Sequence, residues 1–413
     1  MIPKFFLKVG RLIGCAIVLF GWMIAADSIA PRSAGAEPTK PLEKAFPHSE
    51  KCKRCHLRVF EEWEASAQSR SILTAPFRIS LNRLIEAKGE KGAMMCFRCH
   101  APHILEYPSH LKSFIDEVRS RDPRIDGVGC SQCHLIKDVK TEENPPLPIY
   151  ALGKTIFGGY ADAVENLAHQ SEANPLYRRS DYCVTCHHSL PSMDNAQPLP
   201  GWLGNWRATK AQKSGKTCQT CHMPEAFGES ANGERNRKIA NHSFPGRFGK
   251  VRAKALEVDF ETEVTGNTSH VTVTLRSLVP HHLPVPHPGW SRMVLDLTIL
   301  GKNLKKVYGE QRLYERVYGD AHGAPTVFDF EAATILKDTL LKPEETRVES
   351  FTFPTPTDAP SMDVILTVTY SPVHGPKEFL DQIEKEAPLG TKDRAFQAVE
   401  VLQKKKNIPL KKR

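Results

Sequence analysis

The sequence predicts an α+β protein, in which a mainly helical and loop region is followed by an antiparallel β-sandwich-like domain and a C-terminal helix. Three features of the sequence support this prediction. Ten of the eleven cysteines lie between residues 52 and 222, in short motifs joined by helix-like segments. Beyond about residue 250, apolar and polar residues alternate with a period of two. From Pro376 to about Lys405 the pattern returns to that of a helix.

The N-terminus has the pattern of an export signal. Basic residues from Lys4 to Arg11 precede an uncharged run, Leu12 to Ala26, and small residues at 34–36 offer a cleavage site. That run of fifteen residues is short for a membrane span. We therefore expect residues 1–36 to be a cleaved signal peptide and the mature protein to be periplasmic or extracellular, with no stable transmembrane span.

All ten cysteines beyond the predicted signal occur in Cys-x-x-Cys-His motifs. The motif residues are Cys52, Cys55 and His56; Cys96, Cys99 and His100; Cys130, Cys133 and His134; Cys183, Cys186 and His187; and Cys218, Cys221 and His222. Disulfides give no reason for a histidine after every second cysteine. Zinc sites built from two such pairs would leave the fifth pair unmatched. Covalent c-type haem accounts for every residue, because two thiols attach the haem and the histidine ligates its iron.

The motifs therefore predict five c-type haems, held in a pentahaem domain that spans residues 37–250. With one haem per roughly forty residues, the haems must form the core and lie close enough to exchange electrons. Three helices are predicted between the motifs, at Val59–Arg70, Ser109–Arg121 and Tyr160–Gln170. Four arginines near the motifs are candidate partners of the haem propionates, with ordinary surface charge as the alternative: Arg54, Arg98, Arg178 and Arg179.

The predicted β-sandwich-like domain covers residues 251–375. The period-two segments Leu256–Glu261 and Val271–Leu275 flank a Thr-Gly-Asn-Thr turn. Further alternating segments are Met293–Leu300, Gln311–Tyr318, Thr346–Phe353 and Val364–Tyr370. Short strands punctuated by glycine and proline are typical of β-sandwiches. Residues 376–413 are predicted to form a C-terminal helix and a solvated basic tail.

The chain resembles the cytochrome c554-type multihaem c-type cytochromes over roughly residues 45–372. The similar segments are CKRCHLRVFEEWEAS, CFRCHAP, GVGCSQCH, DYCVTCH, and TCQTCHMP followed by NHSFPGRF. VPHHLPVPHPGW resembles the Gly-His-x-x-Pro element that opens a β-domain in many relatives. The resemblance implies an exported electron-transfer protein, and some relatives act beside redox enzymes or in chains that lead out of the cell.

The resemblance also implies that most irons carry a second histidine. It assigns this role to His169, His242 and His282, the last on a loop stiffened by prolines so that the β-domain reaches a haem of the other domain. His281 and His287 are weaker alternatives to His282. Two further candidates lie near the first motifs: His103, preferred over His110, and His48. Bis-histidine ligation would hold the haem potentials low.

One position departs from the family pattern. The expected Trp-x-x-Ser-x-His is Trp63-Glu-Ala-Ser66-Ala-Gln68 here, and glutamine does not readily replace imidazole on haem iron. An oxidoreductase with one five-coordinate haem, acting on a small nitrogen or sulfur compound, is therefore an alternative to an electron carrier. A subunit of an extracellular electron conduit is another. We favour the electron carrier over a catalyst, because the chain has no Cys-x-x-Cys-Lys motif.

The expected partners are redox proteins, namely other cytochromes or a reductase or oxidase. The formal net charge of +9 is modest for 413 residues and spread along the chain, which argues against nucleic acid as a partner. Association with a membrane surface or a filament is left open.

Overall fold

The computed structural model describes residues 40–122, 124–140, 146–162, 167–188, 206–246, 254–285, 290–386 and 398–410. The predicted signal peptide and His287 lie outside these ranges. Helices and short strands make up the haem-motif region, residues 40–246, and antiparallel sheets make up the β-region, residues 254–410; both fall in one unit, Thr39–Arg413. The α+β prediction is thus confirmed. No helix among the described residues is both long enough and apolar enough to span a bilayer.

The helices of the haem-motif region are short, and most carry or flank a motif. They are α1 Lys40–Ala45, α2 Glu50–Lys53, α3 Leu57–Glu64, α4 Ala75–Lys88, α5 Met94–His100, α6 His103–Glu106, α7 Leu111–Ser120, α8 Cys130–His134, α9 Lys210–Lys213 and α10 Cys218–His222. Short antiparallel strand pairs lie among them, with strands of four or five residues: β1 Ile136–Lys140 with β2 Leu147–Tyr150, and β5 Glu225–Gly228 with β6 Arg237–Ala240.

The longest of these helices have local sequence reasons to form and to stop. Helix α4 has Pro76 in its first turn, where a missing N–H costs nothing, and ends at Gly89 with φ of 72°. In α7 the buried residues Leu111, Phe114, Ile115 and Val118 repeat with helical spacing. They pack with α4 and α5 in an apolar cluster beside the second motif.

The helix predictions for this region have different outcomes. The prediction for 109–121 is confirmed by α7. Helix α3 ends at Glu64, short of the predicted 70, and the Ser69 hydroxyl donates to the Glu64 carbonyl at 2.9 Å. The helix predicted at 160–170 is wrong for all of its described residues, because 160–162 and 167–169 form turns, bends and coil. Gln170–Ala173 forms strand β4, paired in parallel with β3, Thr155–Gly158. Residues 163–166 of that prediction lie outside the described ranges.

The β-region contains every strand that the period-two pattern predicted. Its strands are β7 Leu256–Thr265, β8 Thr268–Ser277, β9 Arg292–Leu300, β10 Lys306–Gly319, β11 Pro325–Thr326, β12 Thr334–Asp338, β13 Thr346–Pro354, β14 Ser361–Ser371 and β15 Val399–Pro409. In the described residues they form a three-stranded sheet, β13-β8-β7, and a six-stranded sheet, β11-β10-β9-β14-β15 with β12 on β10. The hairpin of β7 and β8 turns at Gly266, whose φ of 62° suits glycine.

The apolar residues of the two sheets share one core. Alternate residues of β7 and β8 pack with alternate residues of β9 and β14, as expected when two antiparallel sheets face each other. Leu297 and Leu366, for example, are partners in register and wholly buried. This arrangement is that of the predicted β-sandwich.

The C-terminal prediction is wrong for residues 399–409. Helix α11, Lys377–Glu386, matches the predicted helix, but Val399–Pro409 forms β15, an edge strand against β14. The basic run is therefore held by strand pairing, and Lys405 forms an ion pair with Asp363 at 2.8 Å. Apolar and polar residues alternate only weakly in this strand, because its three consecutive lysines lie on both faces of the sheet edge.

Candidate functional site

Three histidines that end Cys-x-x-Cys-His motifs each lie opposite a histidine from a distant part of the chain. The ring centres of His56 and His169 are 6.2 Å apart, and those of His134 and His242 are also 6.2 Å apart. His222 and His281 form the third pair, at 6.4 Å. These pairs join segments separated by 59 to 113 residues; only tertiary folding brings them together.

The spacing fits an iron atom between the two rings. Ring centres of two imidazoles on opposite faces of a haem lie about 6 Å apart, because each metal–nitrogen bond is about 2 Å and each ring centre is about 1 Å further. The paired planes lie within 22°, 28° and 31° of parallel. The donor set and its spacing therefore fit bis-histidine haem ligation.

The tautomers of these histidines are set by backbone carbonyls. The Nδ1 atom of His56 lies 2.6 Å from the Ser230 carbonyl, and that of His134 lies 2.6 Å from the Phe157 carbonyl. On the opposite side, Nδ1 of His242 lies 2.9 Å from the Ala240 carbonyl. A carbonyl partner requires the proton on Nδ1, which leaves the Nε2 lone pair for a metal.

The same arrangement holds elsewhere in the haem-motif region. Nδ1 of His169 faces the Gln170 carbonyl at 3.1 Å, and Nδ1 of His100 faces the Ser71 carbonyl at 2.8 Å. Burial, with the neighbouring His134 as a second cause, lowers the pKa of His242 to about 4. The imidazole of His242 is consequently neutral at pH 7, as iron ligation requires.

The loop that links to the β-region presents His281, whereas the sequence favoured His282. Nδ1 of His281 lies 2.9 Å from the His282 carbonyl, and burial lowers its pKa to about 4. Two hydrogen bonds between the backbones of Leu283 and Leu341, both 3.0 Å, fasten the loop to the β-region. Of the two rings, that of His281 lies opposite His222.

His48 has other partners than an iron. Its Nε2 lies 2.9 Å from Oδ1 of Asp126, and its Nδ1 lies 3.2 Å from the Glu50 amide nitrogen. A hydrogen bond to Asp126 raises the pKa of His48 against the opposing effect of burial. Asp126 also accepts from the Ser49 amide and hydroxyl at 2.7 Å. The geometry makes His48 an ion-pair partner that ties α2 to the third motif.

His103 is buried but is not brought next to a motif histidine. Its Nδ1 lies 3.2 Å from Nε2 of Gln132. Two hydrogen bonds orient the side-chain amide of Gln132, because its oxygen accepts from Gly129 N and from Ser131 Oγ, each at 3.1 Å. Its nitrogen therefore donates to Nδ1, and the proton of His103 lies on Nε2. That tautomer is the wrong one for an Nε2–iron bond, and the competing His110 stacks on Tyr107 at 6.0 Å.

The motifs themselves lie against one another. The thiols of Cys52 and Cys130 are in hydrogen-bonding contact, which lowers the pKa of Cys52 and raises that of Cys130. Like contacts join Cys99 to Cys186 and Cys183 to Cys218. All ten motif cysteines are free thiols. The first motif thus adjoins the third, and the fourth adjoins both the second and the fifth.

Two tyrosines connect the fourth motif with the third. The hydroxyls of Tyr177 and Tyr182 donate to the Cys133 carbonyl at 2.7 and 3.0 Å. Burial raises the pKa of Tyr182 well above its ordinary value, so the hydroxyl stays protonated and continues to donate. The fourth motif is therefore next to the second, third and fifth.

Gln68, which stands where the family pattern has a histidine, has a side-chain oxygen inside the protein. Its side-chain oxygen is buried and has no hydrogen-bond partner among the described residues. The backbone carbonyl of Gln68 accepts from Ser71, whose own carbonyl orients His100. Gln68 is thus close in the chain to Ser71, which orients the histidine of the second motif.

Two of the four arginines singled out near the motifs bind protein partners. Arg178 donates to the Gly159 carbonyl at 2.7 Å, and Arg179 pairs with Asp181 at 2.5 Å. Sequence reasoning missed Arg316, a buried guanidinium of β10. Nothing in its local sequence distinguishes it from other strand arginines; only the fold shows its burial.

Comparisons with known proteins agree with this geometry. Residues 51–135 match the family model described as cytochrome c554 and c-prime. The chain is similar to the crystal structure of a penta-heme cytochrome c552 from Thermochromatium tepidum, with 21% identity, a TM-score of 0.65, and coverage of 88% of this chain and 100% of that chain. No curated protein matches this chain.

Two structural-genomics targets, one of them an ApaA protein from Bordetella pertussis, also align with the chain. They share 9% and 11% identity, cover 38% and 36% of this chain, and are each covered to 89%. Their TM-scores of 0.20 and 0.18 carry no argument.

The family match over residues 51–135 confirms the resemblance to multihaem c-type cytochromes that the sequence predicted, and the similarity to the penta-heme structure shows a shared fold. Within that class, the matched segment contains the first three motifs and is similar to the cytochrome c554 and c-prime family. Electron transfer through c-type haem is supported at the level of this family.

Proposed function

We propose that this chain is an exported electron-transfer protein that carries five covalently attached c-type haems, most of them ligated by two histidines. The observation that carries the proposal is the set of three histidine pairs with ring centres 6.2 to 6.4 Å apart. Each pair includes one motif histidine, and five motifs are present. When bound, each haem supplies an iron that takes up and releases one electron.

The protein's own residues fix the ligands of these haems. The carbonyls of Ser230 and Phe157 hold His56 and His134 in the tautomer that presents Nε2. Because the opposing histidines come from other segments, closing the fold completes the ligand set. Rigid ligands change little between oxidation states, which favours rapid electron transfer.

The contacts between motifs support transfer from haem to haem. Attachment cysteines of different motifs are in contact in three places. Haems bound at those cysteines would therefore have their edges in contact with each other. The fourth motif, next to three others, would be the junction of the path. Electrons would reach redox partner proteins from the outer haems.

The touching cysteines also raise a rival interpretation, in which they form disulfides. Three disulfides would use six cysteines, Cys52 with Cys130, Cys99 with Cys186 and Cys183 with Cys218, and would leave four cysteines unexplained. They would also give no role to the paired histidines. Among the described residues, no group of three or more histidine, cysteine, aspartate or glutamate side chains is placed to hold a metal alone, as zinc would require.

The mass of the intact protein tests the proposal. The protein is to be matured in a host that attaches c-type haem, and its denatured mass compared with that of the polypeptide. We expect the added mass of five haems, and of four in the double variant Cys218→Ala/Cys221→Ala. A mass equal to that of the amino acids, or one lowered by disulfide hydrogens, would refute haem attachment. The N-terminus of the same sample is expected near Glu37.

One observation favours a second candidate function, catalysis at a five-coordinate haem. The buried, unsatisfied oxygen of Gln68 stands where the family pattern has a ligand histidine. The optical spectrum in the presence of nitrite, hydroxylamine and cyanide decides between the functions. We expect no change in a low-spin spectrum from an electron carrier, and a shift of a high-spin band from a catalyst.

A further inference from the structure

Tyr177 lies against the histidine of the third motif. The ring centres of Tyr177 and His134 are 5.5 Å apart and their planes are inclined by only 18°, so the two rings are stacked. Tyr177 belongs to the 3₁₀ helix Pro175–Arg178, in a different segment of the chain. The last torsion of a histidine side chain is intrinsically broad, so a stacked neighbour restricts the plane of the imidazole.

The hydroxyl of Tyr177 anchors its ring to the segment that carries His134. The hydroxyl oxygen lies 2.7 Å from the carbonyl oxygen of Cys133 and 3.0 Å from that of Ile136, which flank the histidine in the chain. Tyr182 packs on the ring of Tyr177, with ring centres 4.7 Å apart. The ring that covers His134 is therefore itself fixed, both at its hydroxyl and by a second aromatic side chain.

The contacts of the histidine pair assign separate tasks to its neighbours. The Phe157 carbonyl, 2.6 Å from Nδ1 of His134, sets the tautomer, but a single hydrogen bond permits the ring to rock about its axis. Stacking on Tyr177 limits that motion. Opposite, the ring of His242 lies 28° from the plane of His134 and meets Phe244 edge-on at 6.2 Å. Each imidazole of the pair thus has an aromatic neighbour.

We propose that Tyr177 is a positioning residue that sets the plane of the His134 imidazole, and with it the angle between the two histidine ligands of the third haem. This inference rests on the proposed haem attachment and bis-histidine ligation. Residues that contact metal ligands orient those ligands and tune the metal. The planes of two axial imidazoles determine which iron d orbital exchanges the electron, so Tyr177 acts on electron transfer through His134.

Electron paramagnetic resonance of the oxidised full protein tests this role, because the g values of a low-spin haem depend on the angle between its ligand planes. We expect Tyr177→Leu to raise the largest g value of one low-spin component, since the freed imidazole turns away from a near-parallel arrangement. That component should be the one that His242→Ala converts to high spin. If Tyr177→Leu does not mature with five haems, Tyr177→Met replaces it, with the same expected shift.

Tyr177→Phe separates the stacked ring from the hydroxyl. This variant keeps the ring and loses both hydroxyl contacts, so the melting temperature should fall while the g values stay those of the wild type. A shifted g value in Tyr177→Phe would assign the effect to the hydroxyl and overturn the role of the stacked ring.

Tyr150→Leu is the matched control. Tyr150 also contacts the third motif, because its hydroxyl donates to the Gln132 carbonyl at 3.1 Å, but its ring packs on Phe46 with ring centres 5.1 Å apart. The control should leave every g value unchanged. Equal shifts in Tyr177→Leu and Tyr150→Leu would show a general loosening of the motif and would overturn the inference.

The wild type provides a measurement that needs no variant of Tyr177. The component that His242→Ala removes should have the rhombic signal of near-parallel ligand planes, and the highly anisotropic signal of perpendicular planes would contradict the inference. Five attached haems with unchanged g values in Tyr177→Leu would refute the role of Tyr177 alone. A wild-type mass that shows no haem would instead refute the proposed function.

Discussion

The imidazoles of His56 and His169 face each other across 6.2 Å, although the two residues are 113 positions apart in the chain. Each ring directs its Nδ1 to a backbone carbonyl, of Ser230 and Gln170 respectively. The pair therefore presents two Nε2 atoms to one space. Strand β4, which begins immediately after His169, fixes the second ring.

We expect His169→Ala to convert one haem of five from low spin to high spin, because the iron loses a strong ligand. His169→Met should keep that haem low spin and raise its potential. Electron paramagnetic resonance and potentiometry measure the two effects. His270→Ala is the matched control, since His270 is exposed on β8 and contacts Thr352; identical spectra for His169→Ala and the control would exclude His169 as a ligand.

The adjacent histidines of the β-region loop should behave differently. His281→Ala removes the ring that faces His222 at 6.4 Å and should produce a high-spin haem. His282→Ala should leave the spin state unchanged, because the ring opposite His222 is that of His281. Optical spectra of the two variants under the same conditions make the comparison. The reverse result would restore the assignment suggested by the sequence.

The stability of the β-region should depend on the side chain of Leu297. This residue is wholly buried between the two sheets, so Leu297→Ala should lower the free energy of unfolding by about 3 kcal/mol. Leu336→Ala is the control, since Leu336 is 46% exposed on β12 and its loss should cost within about 0.5 kcal/mol. Denaturant unfolding monitored by far-ultraviolet circular dichroism provides both values. Equal losses would mean that the sandwich core is placed wrongly.

The pair of His48 and Asp126 should make stability depend on pH. Hydrogen bonding to Asp126 raises the pKa of folded His48 above 6.5. A raised pKa means that the pair stabilises the folded protein below pH 6.5 and that this stabilisation is lost as pH rises through the folded value. The melting temperature of the wild type should therefore exceed that of His48→Gln more at about pH 5.5 than at about pH 8.5.

Asp126→Asn provides the control for this pH effect. This variant removes the carboxylate that holds the proton on His48. In the Asp126→Asn background, the effect of His48→Gln on the melting temperature should therefore be the same at both pH values. If the melting temperature of the wild type exceeded that of His48→Gln by more at high pH than at low pH, His48 would have a lowered pKa, as a buried iron ligand would.

The sequence predicted those parts of the protein that have a local or periodic signature. The five motifs need only residues three or four apart, and the strands of the β-region follow from alternation. His242 was predicted as a ligand, and the structure brings it to His134. Its assignment as a ligand nevertheless remains a prediction.

The remaining features depend on contacts between distant segments. Only the direction of an extended loop distinguishes His281 from His282, and residue type does not report that direction. Asp126, 78 residues from His48, determines the partner of that histidine. The lysine run of β15 has no strand periodicity; its hydrogen bonds to β14 decide its conformation.

The position of β15 has a consequence for biogenesis. This strand is the final one of the chain and covers an edge of β14, whose buried face is rich in valine and leucine. Until residues 399–409 emerge, β14 exposes a row of open amides and carbonyls that could recruit a strand from a neighbouring nascent chain. Truncation before Val399 would thus leave an open edge on the sandwich that promotes aggregation, and the three consecutive lysines of β15 oppose such pairing in the full chain.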